Sequence, residues 1–434
     1  MQPLIAFGLQ GSEYKLIELK LKPPDHHQWV IDSVRLRDHA NERNFELRSL
    51  IFNYDLDTLS QGRIQSLAIG QVKVMDETAL QSAPSSDSRP LLLILNQLLK
   101  QWLDEFTLQQ LSYQSQLLMI NLYDGHYTPY HLSARLELPP QPLQSLTQLA
   151  ANAGIELPDL NLHRGNATIT AELESDLTPP FSLQDAIQSI QGSLHQVTLE
   201  QFGGTINNLS APFTIQPNPR NPGVYSLAIA PLTIQQIELP PVGSSSSETI
   251  DQLQTALALQ IKPDSSTAPL HAVKLSTFSF QLLGGTIRSL HPINIQQNTG
   301  KATLQLQQIE LSRLLKMAGS HALNISGALR GELPITIEQG AVKIQNGSLN
   351  AAPSGGVIRF NPPTISLGEQ GINQALQALS NFHYKRLKAT VDFDSQSMLI
   401  KIQATINGHN PDFMEGREVE LNLNLSEQLR FRTY

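Results

Sequence analysis

This sequence predicts a mainly β protein whose strands pair antiparallel, and three observations predict it. Apolar and polar residues alternate with a period of two, Gly and Pro cluster between the alternating runs, and helical spacing is confined to a few short stretches. Successive side chains of a strand point to opposite faces, so a period-two segment has one apolar and one polar face. One-sided strands of this kind suit an antiparallel sheet, because parallel sheets need solid apolar runs joined by long crossovers.

Taken in order, the β pattern opens at Glu13–Leu21. Pro90–Phe106 carries the best helical spacing, with Leu92, Leu95, Leu99, Trp102, Leu103 and Phe106 recurring at helical intervals behind an opening proline. Pro142–Ala153, Leu183–Ile190, Glu310–Ala318 and Gln370–Phe382 read as shorter helices, the first three closed by a glycine. Glu248–Leu259 fits either type. Alternation is cleanest at Ala167, Ile169, Ala171 and Leu173, at Leu304 and Leu306, at Ile400, Ile402, Ala404 and Ile406, and at Val419, Leu421, Leu423 and Leu425. Gln81–Ser88 and Pro240–Glu248 have the composition of linkers or long loops.

A repeat runs through the middle. Gly203-Gly204-Thr205-Ile206, followed by Leu209, Pro212, Ile215 and Gln216, returns as Gly284-Gly285-Thr286-Ile287, followed by Leu290, Pro292, Ile295 and Gln296. One residue is missing between the Leu and the Pro of the second copy. Downstream, Ile234–Leu239 returns as Leu306–Leu311, and Ser354-Gly355-Gly356-Val357-Ile358 is a fainter third copy. A multi-strand unit repeated in this way predicts an array in which neighbours supply each other's contacts.

Composition excludes several classes of function. The net charge of −8 lacks the basic stripe of a nucleic-acid binder, and the absence of cysteine excludes disulfides, thiol catalysis and Cys-ligated zinc. No stretch approaches the roughly 20 apolar residues of a membrane helix. The Gly-Gly pairs lie between β patterns and lack a following Gly-Lys-Ser/Thr, which makes them turn glycines instead of a phosphate loop. His126 and His131, near Asp124, fall on opposite faces of a strand, and the adjacent His26 and His27 diverge for the same reason, so neither pair reads as a metal site. Asp55 with Asp57, and Asp392 with Asp394, would each share a strand face, but they alternate with apolar residues as an outer polar face does. No catalytic residue, metal or cofactor is expected, and the chain reads as a non-enzyme. A sheet with so many Leu/Ile-rich faces and so few helices must cover them with another sheet or with something that is not protein. Aliphatic strand faces with 6% aromatics suit flexible lipid tails.

The C-terminal third carries a resemblance. Ile325-Ser326-Gly327-Ala328-Leu329-Arg330-Gly331-Glu332-Leu333-Pro334-Ile335 leads into Gly355-Gly356-Val357-Ile358-Arg359-Phe360. Asn381-Phe382-His383-Tyr384, Gly408-His409-Asn410-Pro411-Asp412 and Glu420-Leu421-Asn422-Leu423-Asn424-Leu425 follow. Over residues 305–430 this is similar to the YdbH-like family of the AsmA-like superfamily, which includes TamB. The resemblance implies an elongated, curved antiparallel sheet forming a U-shaped hydrophobic groove that conducts phospholipid between inner and outer membranes. It implies a periplasmic, cell-envelope location, an inner-membrane anchor in full-length relatives, and a small outer-membrane lipoprotein as partner. The anchor is not in this chain, so a fragment or shortened relative is expected.

On this reading residues 1–88 are an N-terminal β segment, 89–320 a repeated β segment with short helices, and 321–434 the C-terminal region. Leu304, Leu306, Ile335, Ile337, Val342, Ile344, Ile400, Ile402, Leu421, Leu423 and Leu425 are expected to line the lipid path. The strand Val419, Glu420, Leu421, Asn422, Leu423, Asn424, Leu425 is expected to offer an edge to the lipoprotein. The rival expectation is a β-rich scaffold or docking module that works by strand addition alone. An older family label, dicarboxylate transport, finds no basic cluster to support it.

Overall fold

The computed structural model of the chain describes residues 14–38, 43–76, 101–116, 118–152, 161–177, 186–201, 203–221, 223–240, 248–261, 270–296, 298–317, 323–360 and 377–428. These residues hold twenty-four strands against three short α-helices and one 3-10 turn, so the chain is mainly β as expected. The internal contacts divide it into two units, Met1–His195 with Phe213–Pro222, and Gln196–Pro212 with Gly223–Tyr434.

In unit 1, strands β1 (Tyr14–Leu21), β2 (Gln28–Asp38), β3 (Arg43–Asn53) and β4 (Ile64–Asp76) form an antiparallel meander. β5 (Leu103–Gln114) joins β4 in parallel, and β6 (Met119–Thr128), β7 (His131–Pro142) and β8 (Asn161–Asp176) continue antiparallel. The register stacks one row of Leu19, Val34, Leu47, Val72, Leu111 and Leu122, and a second of Leu21, Ile31, Leu50, Ile69 and Leu108. Together they are the core of this unit.

The spacing along each strand departs from strict alternation. On β3 the apolar face takes Phe45, Leu47, Leu50 and Phe52, with Ser49 at φ 56° in the gap, and β6 breaks in the same way at Asp124 (φ 52°). Each such bulge adds a residue, bends the strand and increases its twist. A 2-3-2 spacing imitates a helix locally, and that is why Leu103–Phe106 read as helical although it opens β5. Gln101 and Trp102 of that expected helix are helical, and residues 90–100 lie outside the described residues. Ile187–Ile190 likewise belongs to β9 (Ile187–Gln201), and the ambiguous Glu248–Leu259 falls in β12 (Thr249–Ile261). Gln370–Phe382 is described only from Gln377, where a single helical turn precedes a strand opening at Phe382.

Three helices are described. α1 (Leu56–Ser60) was not expected: Asp55 caps it, accepting the Asp57 N–H at 3.0 Å, so Asp55 and Asp57 do not share a strand face. α2 (Leu143–Asn152) and α3 (Leu311–Met317) fall where the glycine-stopped patterns placed them.

Unit 2 contains β11 (Tyr225–Glu238) and β12, then a layer in which two short strands stand in for one long one. β13 (Leu270–Leu275) and β14 (Ser279–Leu282) share the far edge of β12. β16 (Ile293–Gln296) and β15 (Gly285–Ser289) pair with them and are both taken up by the long β17 (Thr299–Glu310). The series continues through β19 (Ala328–Glu338), β20 (Ala341–Ala351), β22 (Phe382–Asp394), β23 (Leu399–His409) and β24 (Glu418–Gln428). Short β18 (Leu323–Ile325) and β21 (Gly356–Phe360) pair beside them.

The repeat has a structural counterpart. Gly203, Gly284 and Gly355 all turn at positive φ (74°, 74° and 64°), and the glycine after each one begins a strand. A Cβ on Gly204 would lie 2.6 Å from the Glu238 carbonyl oxygen, and one on Gly285 would lie 2.4 Å from that of Gln307. Both Gly-Gly-Thr-Ile strands therefore lie against their Gln-Gln-Ile-Glu partners, too close for a side chain. The first copy runs unbroken as β10 (Gly204–Pro217), with an αL residue at Asn208. The second copy, one residue shorter before its proline, breaks at Leu290–Pro292 into β15 and β16.

Candidate functional site

The most extensive chemical feature of unit 2 is one aliphatic sheet face. Residues paired across a ladder point to the same side, so the register traces the face strand by strand. One row runs Leu227, Leu259, Val273, Ile295, Gly300, Ile337 and Val342. A second runs Ala302, Ile335, Ile344, Phe393 and Ile400. A third holds Leu304 and Leu333 on β17 and β19, with Val391, Ile402 and Leu425 on β22 to β24. The fourth is Leu306, Gly331, Leu349, Ala389, Ala404 and Leu423, and the fifth holds Leu387, Ile406 and Leu421. All the residues expected to line a lipid path lie on this one face.

The face is not uniform along the strands. At one end Leu306, Ile309, Leu329, Leu387 and Ile406 are buried under the protein's own side chains: Leu311, Leu314 and Leu315 of α3, Leu379, and the fully buried Phe382. Tyr384 closes this end, donating its hydroxyl to the Ser326 carbonyl at 2.8 Å, and burial pushes its pKa up. Asn410 locks the adjoining turn by donating to the Gln377 and Ala378 carbonyls at 3.0 and 3.1 Å. Among the expected lining residues Leu304, Leu306 and Leu421 belong to this cluster. At the other end Ile335, Ile337, Val342, Ile344, Phe393, Ile400 and Ile402 are only half-buried and lie outside it. On β24, Leu423 and Leu425 are 53% and 43% exposed. β24 pairs with β23 along one side, and no described strand pairs with its other side.

Sequence reasoning missed the upstream half of the face: Leu227, Leu259, Val273 and Ile295. The signal was present, since Val273 and Leu275 alternate with Ala272 and Lys274, but β13 and β16 are too short for the pattern to stand out, and on the longer β11 and β12 alanines at the alternate positions (Ala228, Ala230, Ala256 and Ala258) blur it.

The remaining candidates are structural. Asp392 accepts the Asn346 N–H at 2.7 Å and Asp394 the Gln396 N–H at 2.8 Å, so both carboxylates hold bulges and turns. With Lys343 and Lys401 they surround an open cleft of about 420 Å³ on the polar face. His126 contacts Glu105 at 3.0 Å and His131 contacts Asp176 at 3.5 Å; no group of three metal-ligating side chains occurs among the described residues. No described helix is long and apolar enough to cross a membrane.

Comparison with known proteins places this face in context. No curated protein matches the chain. The profile of the YdbH-like family, described as intermembrane phospholipid transport protein YdbH, matches residues 208–430. The match covers β11 to β24, the strands that carry the aliphatic face. This chain belongs to the YdbH-like family of intermembrane phospholipid transport proteins.

Proposed function

We propose that the chain conducts phospholipid between the inner and outer membranes by carrying acyl tails along its aliphatic sheet faces. The observation that supports this most is the half-buried band that passes from Leu227 to Ile402 across successive strands of unit 2. Removing one CH₂ from water is worth about 0.8 kcal/mol, so a lipid tail cannot cross an aqueous gap unaided. On a band of equivalent aliphatic side chains each carbon loses one contact as it gains the next, and translation is nearly level in energy. The alternate face of the same strands is polar and faces water. Neither a cofactor nor a catalytic group is needed for this work, and the chain would act in the cell envelope.

The experiment is to purify the chain from a double-membraned bacterium and identify bound lipid by mass spectrometry. Phospholipid accompanies the wild type and is lost from the double variant Ile337→Asp, Ile402→Asp. A lipid-free wild type would sink the proposal.

A second reading has its own observation. β24 offers the exposed Leu423 and Leu425 beside an edge with no described partner, and an open edge is a template for an added strand. The family's outer-membrane lipoprotein would dock there. Deleting residues 416–434 then abolishes partner capture and leaves lipid loading intact; joint loss of both would reduce β24 to a part of the fold.

A further inference from the structure

Unit 1 carries an apolar face of its own, and its charges are placed in one spot. The register assigns to that face Tyr14, Leu16, Leu19 and Leu21 on β1, then Trp29, Ile31, Val34, Leu36 and Asp38 on β2. β3 adds Arg43, Phe45, Leu47, Leu50 and Phe52, and β4 adds Leu67, Ile69, Val72, Val74 and Asp76. β5 contributes Phe106, Leu108, Leu111 and Tyr113. On these five strands the charged side chains of the face are Asp38, Arg43 and Asp76. All three stand in the outermost row, beyond Leu36, Phe45 and Val74.

The row is organised around the guanidinium. Arg43 pairs with Asp76 in the ladder, and its Nε lies 3.1 Å from Asp76 Oδ2. The Tyr113 hydroxyl lies 3.3 Å from the same oxygen. Asp76 is 8% exposed, whereas the Arg43 side chain is 48% exposed. A buried carboxylate therefore orients the guanidinium from below, and a guanidinium has five donors in a rigid fork, of which this contact uses one. Asp38 lies one step beyond the Arg37–Asn44 pair, which puts it beside Arg43 on the next strand. Tyr14 stands at the ladder position opposite Asp38 and packs edge-on against Phe45, with ring centroids 5.2 Å apart.

Two carboxylates and one guanidinium at the edge of an aliphatic face repel a purely anionic head group. They complement a group that carries both charges. We propose that this rim seats the head group of a zwitterionic phospholipid, its phosphate on the Arg43 fork and its ammonium on Asp38, with the tails starting on the adjoining half-buried row of Leu16, Leu36, Phe45 and Val74, outside the core cluster. Phosphate on guanidinium is a charge-assisted, bidentate contact, and Asp76 fixes its direction. The inference rests on the phospholipid reading above and adds the lipid class and the side of the sheet from which the head group emerges.

The test loads the full chain from vesicles of equimolar phosphatidylethanolamine and phosphatidylglycerol, then quantifies both lipids bound. The expected result is enrichment of phosphatidylethanolamine by about fivefold, equivalent to about 1 kcal/mol. Asp38→Asn, which removes the partner of the ammonium, brings the ratio close to one, whereas Arg43→Gln, which removes the partner of the phosphate common to both lipids, lowers uptake of both without equalising them. Arg43→Lys, which keeps the charge and loses the fork, falls between wild type and Arg43→Gln. Each variant is checked for an unchanged unfolding midpoint. Soluble glycerophosphoethanolamine, which has the head group without tails, does not displace the lipid. Equal loading of the two lipids by wild type, or a ratio indifferent to Asp38→Asn, overturns the head-group assignment and leaves phospholipid carriage standing. Displacement by the tail-less compound overturns the lipid part of the assignment. A wild type that takes up neither lipid overturns both readings together.

Discussion

Two stretches of one sheet face in unit 2 differ in what covers them. Around Leu306, Leu329, Leu387 and Ile406 the face is sealed by α3, Leu379 and Phe382. A few residues along the same strands, at Ile335, Ile337, Ile344 and Ile402, equally aliphatic side chains remain half-exposed. Hydrophobicity is the same in both, so composition does not decide the outcome. The sealed part fixes the strands against one another as a core does. The open part then keeps its shape without a covering layer, and an aliphatic band held in this way can accept a guest.

The sharpest way to break this division is to empty the sealed end. Phe382→Ala removes a large side chain at 0% exposure and costs about 3–5 kcal/mol in denaturant unfolding of the whole chain. Next comes Gly331→Ala, whose new Cβ would sit 2.0 Å from the Ser348 carbonyl oxygen; the β19–β20 ladder must part, at about 1–3 kcal/mol. Tyr384→Phe deletes the bond to Ser326 and costs about 1 kcal/mol. Because burial raises the Tyr384 pKa above the ordinary 10.0, its neutral form is favoured in the fold. That contribution is complete below the ordinary value and is lost as pH rises through the raised one. Tyr384→Phe therefore flattens the alkaline fall in stability, which a pH series of unfolding midpoints measures. The smallest stability effect belongs to the open end, where Ile337→Asp changes unfolding by about 1 kcal/mol or less while lowering bound phospholipid several-fold.

Much of this was legible beforehand, for identifiable reasons. The strands β23 and β24 alternate without interruption, so Ile400, Ile402, Leu421, Leu423 and Leu425 could be assigned to one face from their spacing alone. Turn glycines were equally plain, because Gly203, Gly284 and Gly355 adopt a backbone that other residues rarely enter. Unit 1 was harder. Its strands carry bulges that shift parity halfway, as between Leu47 and Leu50 or Leu108 and Leu111, and a spacing of three belongs to helices as much as to bulged strands. The rim at Arg43 was invisible for the same reason: only the pairing of β3 with β4 brings Arg43 and Asp76 together from positions 33 residues apart. The sealed end was also hidden, since nothing local in Phe382 or Leu314 says that they cover Ile406 rather than face water.

The central claim is that the open band of unit 2 holds lipid tails, and strand β23 tests it within a few residues. A photo-crosslinking side chain placed in turn at Ile400, Lys401, Ile402, Gln403 and Ile406 samples the open band, the polar face and the sealed end of one strand. Capture of tail-labelled phospholipid at Ile400 and Ile402, with none at Lys401, Gln403 or Ile406, is the predicted result. Capture that ignores the alternation, or that is strongest at Ile406, would contradict it.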